Sequence, residues 1–185
     1  FQTLAVAASP DQFDLVSATL PEKQGLAMTS FLPYVSDAKD GRYRPYALRN
    51  AQDKYARVGQ TGGSEQYEFY QNTSQVAHDT KPYSKTVYRL TPDARAIESG
   101  APGNHWQPVS GDTTHTVRSV ISFNATSDSV RKWNSAGASS GYYAANTVVV
   151  ETTKDENNNQ VISYTNALGQ LVLKKVQYET SKWLK

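Results

Sequence analysis

The sequence predicts a mainly β chain of antiparallel hairpins running into a meander, with one short helix near residues 45–58. Three observations lead there. Twelve Tyr stand against one Met, and aromatic rings pack well on a pleated, half-wet surface. Hydrophobic residues make up only 38% of the chain and the mean hydropathy is −0.62, so the core must be thin or shared with sequence beyond this chain. Extended runs are separated by clusters of Gly, Pro, Asn and Asp, the residues that punctuate strands.

Each element follows from local chemistry. Val16–Leu20 and Leu26–Leu32 read as two strands joined at Pro21-Glu22-Lys23-Gln24-Gly25, the second stopped by Pro33. Pro45 suits a first helical turn, since its missing N–H needs no partner there. Leu48 and Tyr55, with Ala47 and Ala51, give a weakly apolar face to a helix Pro45–Val58 that Gly59 stops. Thr61-Gly62-Gly63-Ser64 is a loop, and Glu65–Asn72 either extends the helical region or packs Tyr67, Phe69 and Tyr70 on a sheet. Tyr83–Leu90 is strand-like, and Gly100-Ala101-Pro102-Gly103-Asn104 is a strong turn cluster. Thr116–Phe123 alternates, with Val117, Ile121 and Phe123 on one side, and Ser135–Gly141 is a loop. The last third is the clearest: strands Asn146–Lys154, Gln160–Thr165 and Gln170–Tyr178, joined by turns at Asp155–Asn159 and Asn166–Gly169.

Composition excludes several functions. Nineteen basic against seventeen acidic residues leave a net charge of +2, scattered along the chain, where a nucleic-acid partner needs a dense basic face. The longest apolar runs, Thr147–Val150 and Leu171–Val172–Leu173, are far too short for a transmembrane segment. Phe1-Gln2-Thr3-Leu4 has no signal-peptide pattern, and the missing initiator Met suggests a chain cut from something longer. With no Cys there is no disulfide, thiolate nucleophile or zinc–thiolate site. The 185 residues suit one β-rich section, and no cofactor is expected.

A faint internal repeat links Glu22-Lys23-Gln24-Gly25 with Asn166-Ala167-Leu168-Gly169, each an acid or amide, two spacers, then Gly before an extended run. The acid or amide can bond the backbone two residues on, while Gly accepts positive φ. Tyr164-Thr165-Asn166-Ala167-Leu168-Gly169-Gln170 resembles a degenerate Tyr-Asp-x-x-Gly-Arg unit of the RHS/YD-repeat family. From about Leu20 to Tyr178 the chain resembles the domain of unknown function on the N-terminal side of Bacteroidetes-type RHS proteins. Four ordered blocks carry this: Gly25 with Phe31-Leu32-Pro33-Tyr34-Val35; Glu98–Gly103 (with Gly100, Pro102 and Gly103) followed by Trp106; Lys154-Asp155-Glu156-Asn157; and Leu168-Gly169 with Val172–Lys175. Gly41–Pro45 also fits. Where the family has Asp and Arg, this chain has Glu22 and Leu26 in one unit, Asn166 and Gln170 in the other. The Asp–Arg pairing is therefore missing, and register is expected to come from packing.

The resemblance implies a section of a spiralling β-shell in a secreted or cell-surface bacterial protein, without chemistry of its own. Its partners would be the remaining YD-repeat segments of the same polypeptide, an enclosed C-terminal toxin or effector, and secretion machinery. The alternatives are an extracellular β-domain that binds glycan or a partner protein, and a hydrolase fragment. For a hydrolase the only histidines are His78, His105 and His115, and no Gly-x-Ser-x-Gly elbow or His-x-x-x-His spacing occurs. His105 beside Trp106 reads as packing or capping. Asp155–Asn159 partly mimics a calcium loop but lacks its Gly and distal Glu, so a hairpin turn is the stronger reading. Asp11, Asp14, Glu22, Asp37 and Asp40 read as solvated loop charges. Tyr67, Phe69, Tyr70, Tyr83, Tyr88, Trp106, Trp133, Tyr142 and Tyr143 could form a sugar platform, against the plainer reading of cross-strand packing. Asn72-Thr73-Ser74 and Asn124-Ala125-Thr126 match a glycosylation pattern that carries little weight in a bacterial chain.

Overall fold

The structure, a computed structural model, describes residues 1–21, 27–49, 63–74, 76–109 and 115–184. It is mainly β, with antiparallel strands in a meander and, among the described residues, one short α-helix. The chain divides into two compact units, Phe1–Thr116 and Val117–Lys185.

The first unit contains β1 (Gln2–Ala5), β2 (Leu15–Pro21), β3 (Ala27–Phe31), β4 (Tyr34–Val35), α1 (Glu65–Asn72), β5 (Tyr83–Tyr88) and β6 (Ala96–Gly100). Its sheet order is β1-β2-β3-β5-β6, and β4 also pairs with β2. The β2–β3 hairpin sets Thr19 opposite Ser30 and Pro21 opposite Met28. Its turn, with Gly25, lies outside the described residues. Alternation along β2 buries Val16 and Ala18. Leu4 and Tyr34 lie opposite Val16 on the two flanking strands, so the three share a face. That face packs with Ala47, Phe69 and Tyr70.

The α-helix among the described residues lies at Glu65–Asn72, and the described start of the expected Pro45–Val58 helix is not helical. Residues 45–49 form turns, with Ala47 N–H donating to the Arg44 carbonyl (3.2 Å) and Arg49 N–H to that of Tyr46 (3.3 Å). The rest of the expected Pro45–Val58 helix lies outside the described residues. The physical reason is competition for acceptors. The carbonyls of Tyr46 and Ala47, which a local helix would offer to the next turn, accept the N–H groups of Glu65 (3.0 Å) and Gln66 (3.2 Å). Those are the orphan donors of the first turn of α1. Ser64 caps the same turn through its side chain, accepting from Tyr67 N–H. Glu65 and Glu68 place negative charge at the positive end of the helix.

The second unit contains β7 (Val117–Phe123), β8 (Arg131–Trp133), β9 (Ser139–Tyr142), β10 (Val149–Lys154), β11 (Gln160–Thr165), β12 (Leu171–Glu179) and β13 (Lys182–Leu184). Its main sheet runs β7-β10-β11-β12-β13, and β8 and β9 form a separate two-stranded ribbon. The expected loop Ser135–Gly141 is thus half strand, because Ser139 pairs with Trp133 and Tyr142 with Arg131. One sheet face buries Val150 and Tyr164, which cluster with Val130 and Val148. The other face carries Phe123, Val149 and Thr165 in one cross-strand row and Val161, Val176 and Leu184 in another. No helix among the described residues is long and apolar enough to cross a membrane.

Candidate functional site

Three hairpin turns in the second unit share one construction. At Asn166–Gln170 the first side chain accepts from the N–H groups of Leu168 and Gln170 (both 3.0 Å), two and four residues on. Backbone bonds run from Asn166 N–H to the Gln170 carbonyl and from Gly169 N–H to that of Asn166. Gly169 holds φ +77°. At Asp155–Asn159 the carboxylate accepts from the N–H groups of Asn157 (2.9 Å) and Asn159 (2.8 Å), and Asn158 holds φ +64°. At Asn134–Ala138 the amide oxygen accepts from Ala136 (3.0 Å) and Ala138 (2.9 Å), and Gly137 holds φ +76°. A short acceptor first and a residue tolerant of left-handed backbone fourth are all this turn needs.

The side chains at the first and last positions also meet. The Asn166 amide donates to Gln170 Oε1 at 2.9 Å, and the Asn159 amide to Asp155 Oδ2 at 2.9 Å. Register at the Asn166 turn therefore comes from hydrogen bonds within the turn as well as from packing, which corrects the expectation that packing alone would set it. At Asp155 the Asn159 amide and two backbone N–H groups hold the carboxyl below its ordinary range, although desolvation opposes them. Its oxygens serve as turn acceptors, the geometry of a hairpin rather than of a calcium loop.

In the first unit a second polar cluster joins α1 to the sheet. The buried Tyr34 hydroxyl donates to Glu65 Oε2 at 2.7 Å. Arg44 reaches the same carboxylate through Nε (3.1 Å) and a terminal nitrogen (3.3 Å), and also bonds Asp37. Burial, then the hydrogen bond to Glu65, pushes the Tyr34 phenol well above the ordinary tyrosine range. The cluster ties Arg44 and the first turn of α1 to the Tyr34–Asp37 stretch. The turn Gly100–Gln107 is a third knot. A Cβ on Gly100 would stand 2.1 Å from the Trp106 carbonyl oxygen. The Gln107 amide donates to the carbonyls of Tyr83 (2.8 Å) and Ala101 (2.9 Å).

A model of a domain of unknown function, DUF6443, matches residues 1–119 of the 185. The chain belongs to the DUF6443 family. No curated relative and no solved structure matches it. The DUF6443 stretch ends just past Thr116, where the first compact unit ends. It holds the sequence blocks around Tyr34 and Gly100–Trp106; the blocks at 154–157 and 168–175 lie outside it.

Within the DUF6443 stretch the singled-out residues are dispersed. Pro102 is exposed in the bend before the 3-10 turn Asn104–Trp106. The Trp106 ring meets His115 edge-on at 5.3 Å. His105 is exposed, and His78 bonds the Thr73 carbonyl at 3.2 Å. Phe69 and Tyr70 pack on the sheet from α1, and Tyr83 packs on Phe31 at 5.4 Å. The acidic residues need one correction. Asp11, Asp37 and Asp40 are exposed or partnered at the surface, but Asp14 is fully buried. Its carboxylate accepts from Ala7 N–H (2.9 Å) and Gly41 N–H (2.8 Å), pinning two loops at once. Glu22 lies outside the described residues.

In the second unit Tyr164 is core, its hydroxyl bonded to Asp128 (3.2 Å) and to Lys175 Nζ (3.1 Å). Asn124 is buried, its oxygen accepting from Thr147 and Val148 N–H and its amide nitrogen donating to the Ala144 carbonyl, so this glycosylation pattern sets its Asn in the interior. Trp133 and Tyr142 are exposed on the ribbon. Among the described residues no three of His, Asp or Glu converge as a metal site. Sequence reasoning missed the anchoring roles of Asp14 and Asn124 and the Arg44–Glu65 pair. Arg44 and Glu65 lie far apart along the chain, with no spacing signal to join them.

Proposed function

We propose that the chain is a non-catalytic structural section of the β-shell of a secreted or cell-surface bacterial RHS/YD-repeat protein. That shell would enclose or present a C-terminal toxin or effector, and its wall partners would be the remaining repeat segments of the same polypeptide. One observation carries the reading: the face of the second unit's main sheet opposite Tyr164 exposes large apolar side chains on both sides of a polar row, Glu151, Ser163 and Lys174. On it Phe123, Leu171 and Leu184 are about 60% exposed, at 63%, 59% and 61%. A self-sufficient domain covers such a face with a second layer. A shell wall leaves it for an interior.

The sheet edge supports the same reading. β13 pairs only along Val176–Glu179 of β12, so Leu171–Lys175 has no outer strand partner among the described residues. Natural proteins cover or blunt such edges, and an adjoining hairpin would do so. The repeated five-residue turn is suited to adding hairpins, since each copy sets its own register.

The test is the solution behaviour of the 185-residue chain. Concentration-dependent association and strong binding of a hydrophobic dye are expected, both reduced in a Phe123→Lys/Leu171→Lys variant. A monodisperse monomer that binds no dye would overturn the reading.

A further inference from the structure

We infer that the β8–β9 ribbon is a binding platform for an acidic polysaccharide. β7 and β10 pair directly, from Phe123 opposite Val149 to Arg118 opposite Lys154. The intervening residues 124–148 are therefore an excursion that the meander does not need for its pairing. Excursions held by a rigid scaffold are where proteins place recognition.

This excursion is held at its neck and at its tip. Asn124 Oδ1 accepts from the N–H groups of Thr147 (3.0 Å) and Val148 (2.8 Å), and its amide donates to the Ala144 carbonyl (2.9 Å). At the far end the Asn134 turn closes the hairpin. Between them Arg131 and Tyr142 lie directly opposite, and Trp133 stands two residues beyond Arg131 on the same face. Trp133 is 61% exposed and Tyr142 56%. Arg131 lies over the Tyr142 ring, with Cζ 5.8 Å from its centroid.

The chemistry selects the ligand. Flat exposed rings stack on the C–H faces of sugar rings, and a guanidinium fork matches a carboxylate. Ser129–Tyr143 contains Arg131 and Lys132 but no Asp or Glu, so an anion meets no opposing charge within the ribbon. Two cations are too few for a nucleic-acid backbone, whose binding draws on many neutralised phosphates. A polymer with a carboxylate on each sugar, or on alternate sugars, satisfies both the rings and the fork.

Affinity electrophoresis through gels containing polygalacturonate, hyaluronan or neutral mannan tests this, with a fluorescent oligo-dT titration beside it. The wild-type chain should be retarded by at least one acidic gel, less so as salt rises, and not by mannan. Trp133→Ala and Tyr142→Ala should each weaken retention roughly tenfold, and Arg131→Gln should remove it. These side chains are exposed, so the circular dichroism of the variants should be unchanged; Trp133→Phe, should Trp133→Ala unfold, keeps a ring and should keep most of the retention. Retardation by neither acidic polymer, equal retardation by mannan, indifference to the three substitutions, or tighter binding of oligo-dT would each overturn the inference. None of these readouts depends on whether the sheet belongs to a shell.

Discussion

Phe1–Thr116 and Val117–Lys185 are both antiparallel β, yet they are held together by different means. In the first unit the buried polar and charged side chains include Asp14, Gln66 and Gln107, and in the second Asn124 alone among the described residues. Asp14 joins Ala7 to Gly41, and Gln66 reaches the carbonyls of Leu32 (3.4 Å) and Pro82 (3.1 Å). These anchors tie together segments far apart in sequence. The second unit instead repeats a turn whose side chain bonds the backbone two and four residues on. Its strands follow one another as a meander. The first unit leans on distant polar anchors, and the second adds a repeated local turn to its own distant contacts, Asn124 to Val148 and Tyr164 to Asp128.

The largest way to break that contrast is at Asp14. Asp14→Ala takes the shared acceptor from the Ala7 and Gly41 N–H groups and empties a fully buried site, a loss of about 2 kcal/mol. Hydrogen exchange read separately over the two units should show the first unit opening while β10, β11 and β12 keep their protection. Equal loss in both units would mean that the polar anchor is not a local device of the first.

A middle-sized effect belongs to Tyr164, where the second unit buries a polar atom of its own. Burial, then the Asp128 carboxylate, pushes this phenol from 10.0 up to about 12. A folded-state value above the unfolded one means that the contribution is fully present below about pH 10 and fades as pH rises toward 12. Tyr164→Phe should cost about 1 kcal/mol at neutral pH. The difference between wild type and variant should shrink in urea melts taken from pH 9 to 11.5. A difference that grows with pH would contradict the burial of the neutral phenol.

The same contrast explains what could be read from the sequence. The three late strands were legible because their turns announce themselves: Asp155 and Asn166 stand first, and Asn158 and Gly169 take the left-handed fourth place. The observed strands Val149–Lys154, Gln160–Thr165 and Leu171–Glu179 lie close to the expected bounds. The pairing of β3 with β5 was not legible, because it sets Phe31 opposite Tyr83 across a long intervening segment. Asp14 looked like a loop charge for the same reason, since its two donors have no fixed spacing from it. The helix Glu65–Asn72 was only one of two readings of its stretch, because apolar spacing at Leu48 and Tyr55 drew attention from Ser64 followed by Glu65 and Glu68, a cap with an acidic first turn. Of the proposed platform, Trp133 and Tyr142 were visible as residue types. That a ribbon would set Tyr142 opposite Arg131 depended on a bulged register no pattern declares.

The smallest effect tests whether the local turns are truly one device. Gly169 and Gly137 hold the same fourth position at φ +77° and +76°, and at both an added Cβ meets nothing within 4 Å. Sterics with neighbours therefore drop out, and only the intrinsic cost of a left-handed alanine remains, about 1 kcal/mol. Gly169→Ala and Gly137→Ala should lower stability by the same amount, although one turn joins strands of the main sheet and the other closes the ribbon. Asn158→Gly, at φ +64° in the third turn, should change stability by only a few tenths of a kcal/mol, because Asn tolerates this conformation and Gly adds unfolded-state entropy. Urea midpoints at constant slope read all three. If Gly169→Ala costs several times more than Gly137→Ala, the turn between β11 and β12 carries something beyond its backbone, and the second unit is less local than its hydrogen bonds suggest.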